Sequence, residues 1–140
     1  MEKRDLAASA ARTGIWGEDT AARHLERRGW SIVGRRVRPC RNDRRCEIDI
    51  VAREPDGSIV FVEVKTHARR SPLASRLWCI DRRKKSNLLR ACVNWIMREK
   101  WRGRYRFDVI EVYGSCAGPC LPEVDHIENV PLFPRKWRFW

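Results

Sequence analysis

No run of about 18 apolar residues occurs in this 140-residue chain, so nothing in it reads as a membrane span. Its start, Met1-Glu2-Lys3-Arg4-Asp5, leads into alanines rather than a long apolar core, so a secretory signal is not expected and the protein reads as cytoplasmic. Cysteine is sparse for a disulfide scaffold: six residues are about 4% of the chain, against ~8–10% in such scaffolds. Reduced thiols are the expectation, and Cys40, Cys46, Cys116 and Cys120 lack the compact spacing on both sides that a four-thiolate zinc site uses. Internal repeats and low-complexity linkers are missing too. One domain spanning residues 1–140 is expected, because this length is short for two cores. Acidic charge is the other shortage: 18 Asp and Glu face 30 Lys and Arg, for a net charge of +12 and a pI near 10.2. That excess draws polyanions by counterion release, which makes nucleic acid the natural partner, although basic charge also serves plain solubility.

What is present organises into helices and strands. Leu6 to Arg28 carries small or apolar residues at Ala7, Ala11, Gly14, Ala21 and Leu25, a helical stripe that also contains Glu18. Gly29 is placed to end that helix, and Trp30 to Val33 reads as a short strand. Arg35, Arg36, Arg38, Arg41, Arg44 and Arg45 then crowd together with Pro39, Asn42 and Asp43, a pattern that predicts an exposed positive loop. Asp81 is a fair N-cap for a second helix, with Leu88, Cys92, Trp95 and Ile96 along one side. Its first turn holds Arg82, Arg83, Lys84 and Lys85, cations that oppose the helix dipole and make more sense beside phosphate than alone. Residues 67–80 lack clear periodicity. Arg106 to Tyr113 is a further strand, and Val124 to Ile127 is a candidate edge strand. The tail, 131–140, interleaves Arg135, Lys136 and Arg138 with Trp137, Phe139 and Trp140. It suits either stacking on bases or docking of its aromatics on the domain.

The chemistry concentrates in one hairpin. Cys46 to Ala52 and Ser58 to Thr66 are β-rich runs joined through Pro55-Asp56-Gly57, strong turn chemistry. A turn centred on Asp56 makes opposed residue numbers sum to 112, which sets Asp49 against Glu63 and Glu47 against Lys65. Alternation then puts Glu47, Asp49, Glu63 and Lys65 on one face and Ile48, Ile50, Val60, Val62 and Val64 on the other. Opposed Cβ atoms lie about 4.5–5.5 Å apart, so two carboxylates there repel unless a cation lies between them. Mg²⁺ or Mn²⁺ suits such an oxygen-rich site, with the Val64 carbonyl completing the protein ligands. A solvated sheet face with cross-strand ion pairs is the competing reading. Glu18 bears on the choice, since a carboxylate in a small-residue stripe faces the protein body and needs a metal, a cation or a proton.

Gly14, Gly17-Glu18, Ala21, Leu25, Gly29-Trp30, Glu47-Ile48-Asp49-Ile50, Phe61-Val62-Glu63-Val64-Lys65-Thr66, Lys84 and Arg106-Phe107-Asp108-Val109 together resemble the YraN-like family of small bacterial predicted endonucleases (UPF0102). The resemblance covers about residues 14–130 and extends to archaeal Holliday junction resolvases and the PD-(D/E)xK nucleases. It implies an α/β, restriction-endonuclease-like fold in which a central mixed sheet is flanked by helices. It also implies that Asp49 bridges metal, that Glu63 and Lys65 form the ExK element, and that Glu18 completes the site. Departures are Cys46, where the family usually has glycine, and His67, where it usually has a basic residue. The expected function is metal-dependent hydrolysis of DNA phosphodiesters, with branched DNA suggested by analogy alone. Lys65 would orient water or stabilise charge on phosphate. Arg35, Arg36, Arg38, Arg41, Arg44, Arg45, Arg82, Arg83, Lys84 and Lys85 would grip the DNA backbone. A non-catalytic binding module and a protein-interaction domain are the rival readings. Oligomeric state stays open, a homodimer included.

Overall fold

A computed structural model describes residues 2–70 and 81–137; the remaining expectations, for 71–80 and for Arg138, Phe139 and Trp140, lie outside the described residues. Helix α1 (Glu2–Arg27) is alanine-rich, and it closes where Gly29 takes φ +82° and the Trp30 N–H donates to the Leu25 carbonyl at 3.1 Å. Five strands follow: β1 (Ser31–Val37), β2 (Ile48–Arg53), β3 (Ile59–His67), β4 (Tyr105–Tyr113) and β5 (Glu123–Ile127). Helix α2 (Arg82–Arg98) lies in the connection from β3 to β4 and starts as expected, with the Asp81 carboxylate accepting the Lys84 N–H at 2.9 Å.

The sheet has the order β1-β2-β3-β4-β5, with β3 and β4 parallel and the other neighbours antiparallel. It is therefore mixed, with helices over both faces, as a restriction-endonuclease-like fold requires. From α1, Ala21, Ala22 and Leu25 pack with Trp30 against Ile50, Ala52, Val60, Val62, Ile110 and Val112 of the sheet. Against α2 pack Ile48, Val51, Ile59, Phe61, Phe107 and Val109, joined by Leu132 and Phe133. Each fully buried Leu or Ile contributes about 2 kcal/mol through apolar burial. The start of the tail thus docks: Phe133 lies 6.0 Å from Phe61 and 4.9 Å from Tyr105, ring centre to ring centre. No helix among the described residues is long and apolar enough to cross a membrane.

Two expectations need correction. The strand after α1 runs on to Val37, so Arg35 and Arg36 belong to β1 and not to an exposed loop. An extra residue at Val33 bulges β1 between the Ile32–Ala52 and Gly34–Val51 pairs, and the basic run hid that strand because an exposed edge strand tolerates charge. The second correction concerns Ile48 and Ile50, which share no face: Ile48 packs on the α2 side and Ile50 on the α1 side. Alternation in β2 breaks at Asp49.

Candidate active site

The register of the β2–β3 hairpin is as expected, running from Arg53↔Ile59 to Ile50↔Val62. Gly57, at φ +92°, turns the chain, and the Asp56 carboxylate accepts the Ser58 N–H at 2.8 Å. Beyond Ile50↔Val62 the regular ladder stops. The Asp49 carboxylate instead accepts the Val64 N–H at 2.8 Å, a side chain standing where a strand partner would stand. The break in alternation at this residue has an electrostatic consequence. Asp49 lies near enough to Glu63, which faces α2, and to Glu18, on α1, to feel both charges.

Burial, followed by repulsion from Glu63, pushes the Asp49 carboxyl up to about 8, against the pull of the Val64 N–H. Ionisation of Asp49 is therefore disfavoured beside Glu63. Glu63 is buried, and its Oε1 receives the Lys84 ammonium at 2.6 Å. Lys84 is held above its ordinary value: burial works against its charge, but attraction to Glu63 outweighs that cost. Lys65, half-buried, is the parallel-strand neighbour of Glu111. Glu111 is fully buried, accepts the Tyr113 hydroxyl at 2.8 Å, and has His67 Nε2 at 3.5 Å. Burial first, then that hydrogen bond, pushes the Tyr113 phenol up to about 12. The alternation Phe107, Val109, Glu111, Tyr113 signals in the sequence that Glu111 points inward.

Glu18 faces inward from α1, its side chain only 11% exposed, and finds its cation in β1: Arg36 Nε at 2.9 Å, with Arg35 at 3.8 Å. Arg35 also pairs with Asp19 at 2.7 Å. Gly17 allows this approach, because a Cβ there would overlap the Thr66 hydroxyl at the end of β3. Glu47 does not oppose Lys65; it precedes β2 and accepts Arg38 Nε at 2.7 Å. Arg41 and Arg44 are exposed, Arg45 pairs with Asp43 at 3.2 Å, and Arg82, Arg83 and Lys85 stand exposed at the start of α2. Of the expected phosphate grips, Arg35, Arg36, Arg38, Arg45 and Lys84 thus already hold carboxylates.

Asp49 and Glu63 could hold a hard divalent cation, whose charge would relieve the repulsion between the two carboxyls. Among the described residues, however, the group of three ligand side chains lying within 4.8 Å of one another is Asp108, His126 and Glu128. This trio could hold a metal, but two guanidiniums stand there. Asp108 accepts Arg106 Nε at 2.9 Å, His126 Nε2 at 2.8 Å and the Asn129 N–H at 2.9 Å. Arg28 donates to His126 Nδ1 at 2.8 Å and pairs with Glu128 at 2.9 Å. Burial disfavours charge on Asp108, yet its hydrogen bonds from His126 and Arg106 hold it below the ordinary carboxylate range. Both guanidiniums also lie over Trp30, at 4.9 Å for Arg28 and 5.4 Å for Arg106. Arg106 reaches on to Glu54 at 2.8 Å, so the network ties β4 to the hairpin turn.

A mixed sheet between helices, with two carboxylates and a lysine at the open end of its hairpin, defines an α/β protein of restriction-endonuclease-like architecture. The chain belongs to the uncharacterised protein family UPF0102, the YraN-like family, whose model matches residues 17–112. A UPF0102 protein of Corynebacterium efficiens is 37% identical over 119 residues, 84% of this chain and 89% of that one. One from Geobacter sulfurreducens is 36% identical, covering 83% of this chain and 85% of its own length. One from Parafrankia is 41% identical, covering 76% and 86%. Among solved structures, a protein of unknown function from Silicibacter pomeroyi is 19% identical over 81% of this chain and 70% of its own, at a TM-score of 0.33.

Proposed function

We propose that this protein is a metal-dependent endonuclease that hydrolyses phosphodiester bonds in DNA. The observation carrying this reading is the crowding of Asp49 and Glu63 at the end of the hairpin, where burial and the Glu63 charge disfavour ionisation of Asp49 and its carboxyl stands in for a strand partner of the Val64 N–H. Such an arrangement is costly for stability alone and suits a cation site. Asp49, Glu63 and the Val64 carbonyl would hold Mg²⁺ or Mn²⁺, which when bound supplies Lewis acidity toward phosphate and water. Lys65 orients the attacking water or meets charge developing on phosphate. Lys84 balances Glu63. Glu18, tethered by Arg36, sets the negative field on the α1 side of Asp49. Exposed Arg41, Arg44, Arg82, Arg83 and Lys85 grip the backbone on either side without reading sequence.

A second reading has its own observation: Lys84 on Glu63 and Arg36 on Glu18 already neutralise two of the three carboxylates. That state would serve a nucleic-acid-binding module which retains the fold but not the chemistry. Labelled single-stranded, duplex and four-way-junction DNA, each incubated with Mn²⁺, separates the two. Cutting that disappears in both Asp49→Ala and Lys65→Ala supports the nuclease. Salt-sensitive binding without cutting on any substrate transfers the conclusion to the binding module.

A further inference from the structure

Two cysteines bracket the exposed Arg41–Arg45 stretch and have no part in the proposed hydrolysis. Cys46 is fully buried just before β2, and Arg90 of α2 aims two donors at its sulfur, Nε at 3.0 Å and a terminal nitrogen at 2.9 Å. The same guanidinium pairs with Asp43, whose carbonyl accepts the Cys46 N–H at 3.3 Å. Cys40, half-buried, hydrogen-bonds Cys46. An open cavity of about 450 Å³, lined by Arg38, Cys40, Asn42, Asp43 and Arg44, reaches Cys40, with Cys46 buried behind it.

We propose that Cys40 and Cys46 are a redox site, forming a reversible disulfide with hydrogen peroxide as oxidant and Arg90 as the cation that activates the Cys46 sulfur. A reactive thiol needs a cation beside it and a second sulfur within reach, and both are present. Burial, then the hydrogen bond to Cys46, pushes the Cys40 thiol up to about 11, so Cys40 stays protonated as the resolving partner. The Cys46 thiolate attacks one peroxide oxygen, the O–O bond breaks, and hydroxide leaves. Cys40 sulfur then displaces hydroxide from the Cys46 sulfenic acid, and its proton departs with that hydroxide as water. Two thiols lose two electrons in all, and one peroxide is reduced to two waters. The new bond would close a small ring around the basic loop, three residues before Asp49. This inference does not depend on the nuclease reading.

The test treats the full chain with hydrogen peroxide, blocks remaining thiols with N-ethylmaleimide, and maps tryptic peptides by mass. The expected product joins the peptides spanning 37–41 and 46–53, two hydrogens lighter than their sum, and dithiothreitol separates them. Exposed Cys116 and Cys120 serve as comparison thiols in the same digest. Their oxidation while Cys40 and Cys46 both carry maleimide would overturn the proposal. Arg90→Gln should slow the cross-link about ten-fold with the circular dichroism spectrum retained, and an unchanged rate would overturn the role of Arg90. Cys40→Ser keeps the contact of Arg90 with Cys46 and removes the resolving sulfur: Cys46 should then stop at a sulfenic acid that dimedone captures, and absence of capture under peroxide also counts against the site.

Discussion

Replacing Asp49 with Asn should make the metal-free protein more stable at alkaline pH while abolishing any cleavage. The folded carboxyl binds its proton up to about pH 8, whereas the unfolded chain releases it near the ordinary value of 3.8. Across that window the native state holds more protons than the unfolded state, so stability falls as pH rises from about 4 to about 8 and levels off above. The ceiling on this effect is about 6 kcal/mol, from about 1.4 kcal/mol per pH unit. Relaxation and water entry around the ionised native carboxyl lower that ceiling, so we expect about 2 kcal/mol in practice. Asn keeps an oxygen for the Val64 N–H and carries no charge, so it copies the protonated native state. Thermal melts in EDTA between pH 5 and pH 9 are the assay. The wild type should lose about 6 °C relative to Asp49→Asn over that range. Parallel melting curves for the two proteins would refute the claim that Asp49 and Glu63 crowd one another. Adding Mn²⁺ at pH 8 should stabilise the wild type and leave Asp49→Asn nearly unchanged.

Other changes test other parts of the molecule. Asp108→Asn weakens the buried partner of Arg106 and His126 and should cost about 3 kcal/mol, read as a lower urea midpoint. Gly17→Ala drives a methyl into Thr66 and should destabilise by about 1–3 kcal/mol, with a proportionate loss of cleavage if α1 moves Glu18. Combined Arg82→Ala, Arg83→Ala and Lys85→Ala should weaken DNA binding about ten-fold at moderate salt and flatten the log–log salt dependence by about 2–3, with little effect on the melting temperature.

Much of the hairpin was legible because local rules decide it: Pro-Asp-Gly sets the turn, and the turn sets the register. Asp81 as N-cap and Gly29 as helix terminator were legible for the same reason. The position of Asp49 was not, because the switch of Ile48 and Ile50 to opposite faces is imposed by helices on both sides of the sheet and leaves no trace in the alternation. Glu18 was recognisable as an inward carboxylate, but its partner was hidden, since Arg36 sat in a basic run that reads as loop. Lys84 stood among the expected phosphate grips when its first contact is Glu63. Family resemblance implied a mixed sheet, but which strands run parallel, β3 and β4, could not be read, because periodicity cannot tell strand direction. The Arg28–Arg106–Asp108–His126 network depends on side chains from three separated segments, and no spacing rule joins them.

Helix α1 is about 39 Å long at 1.5 Å per residue, yet its buried face begins only at Gly17, and residues 2–12 are exposed throughout. Short helices without tertiary support are marginal in water, so the first turns persist because the packed half of α1 has already nucleated them. Backbone amide protection should therefore rise in steps along one continuous helix, from near-coil exchange before Arg12 to the slowest class from Ala21 to Leu25. The carboxylate at position 18 sits where that gradient turns steep, anchored on the side facing Asp49 and leading away into a segment that can exchange, fray or be clipped without disturbing it.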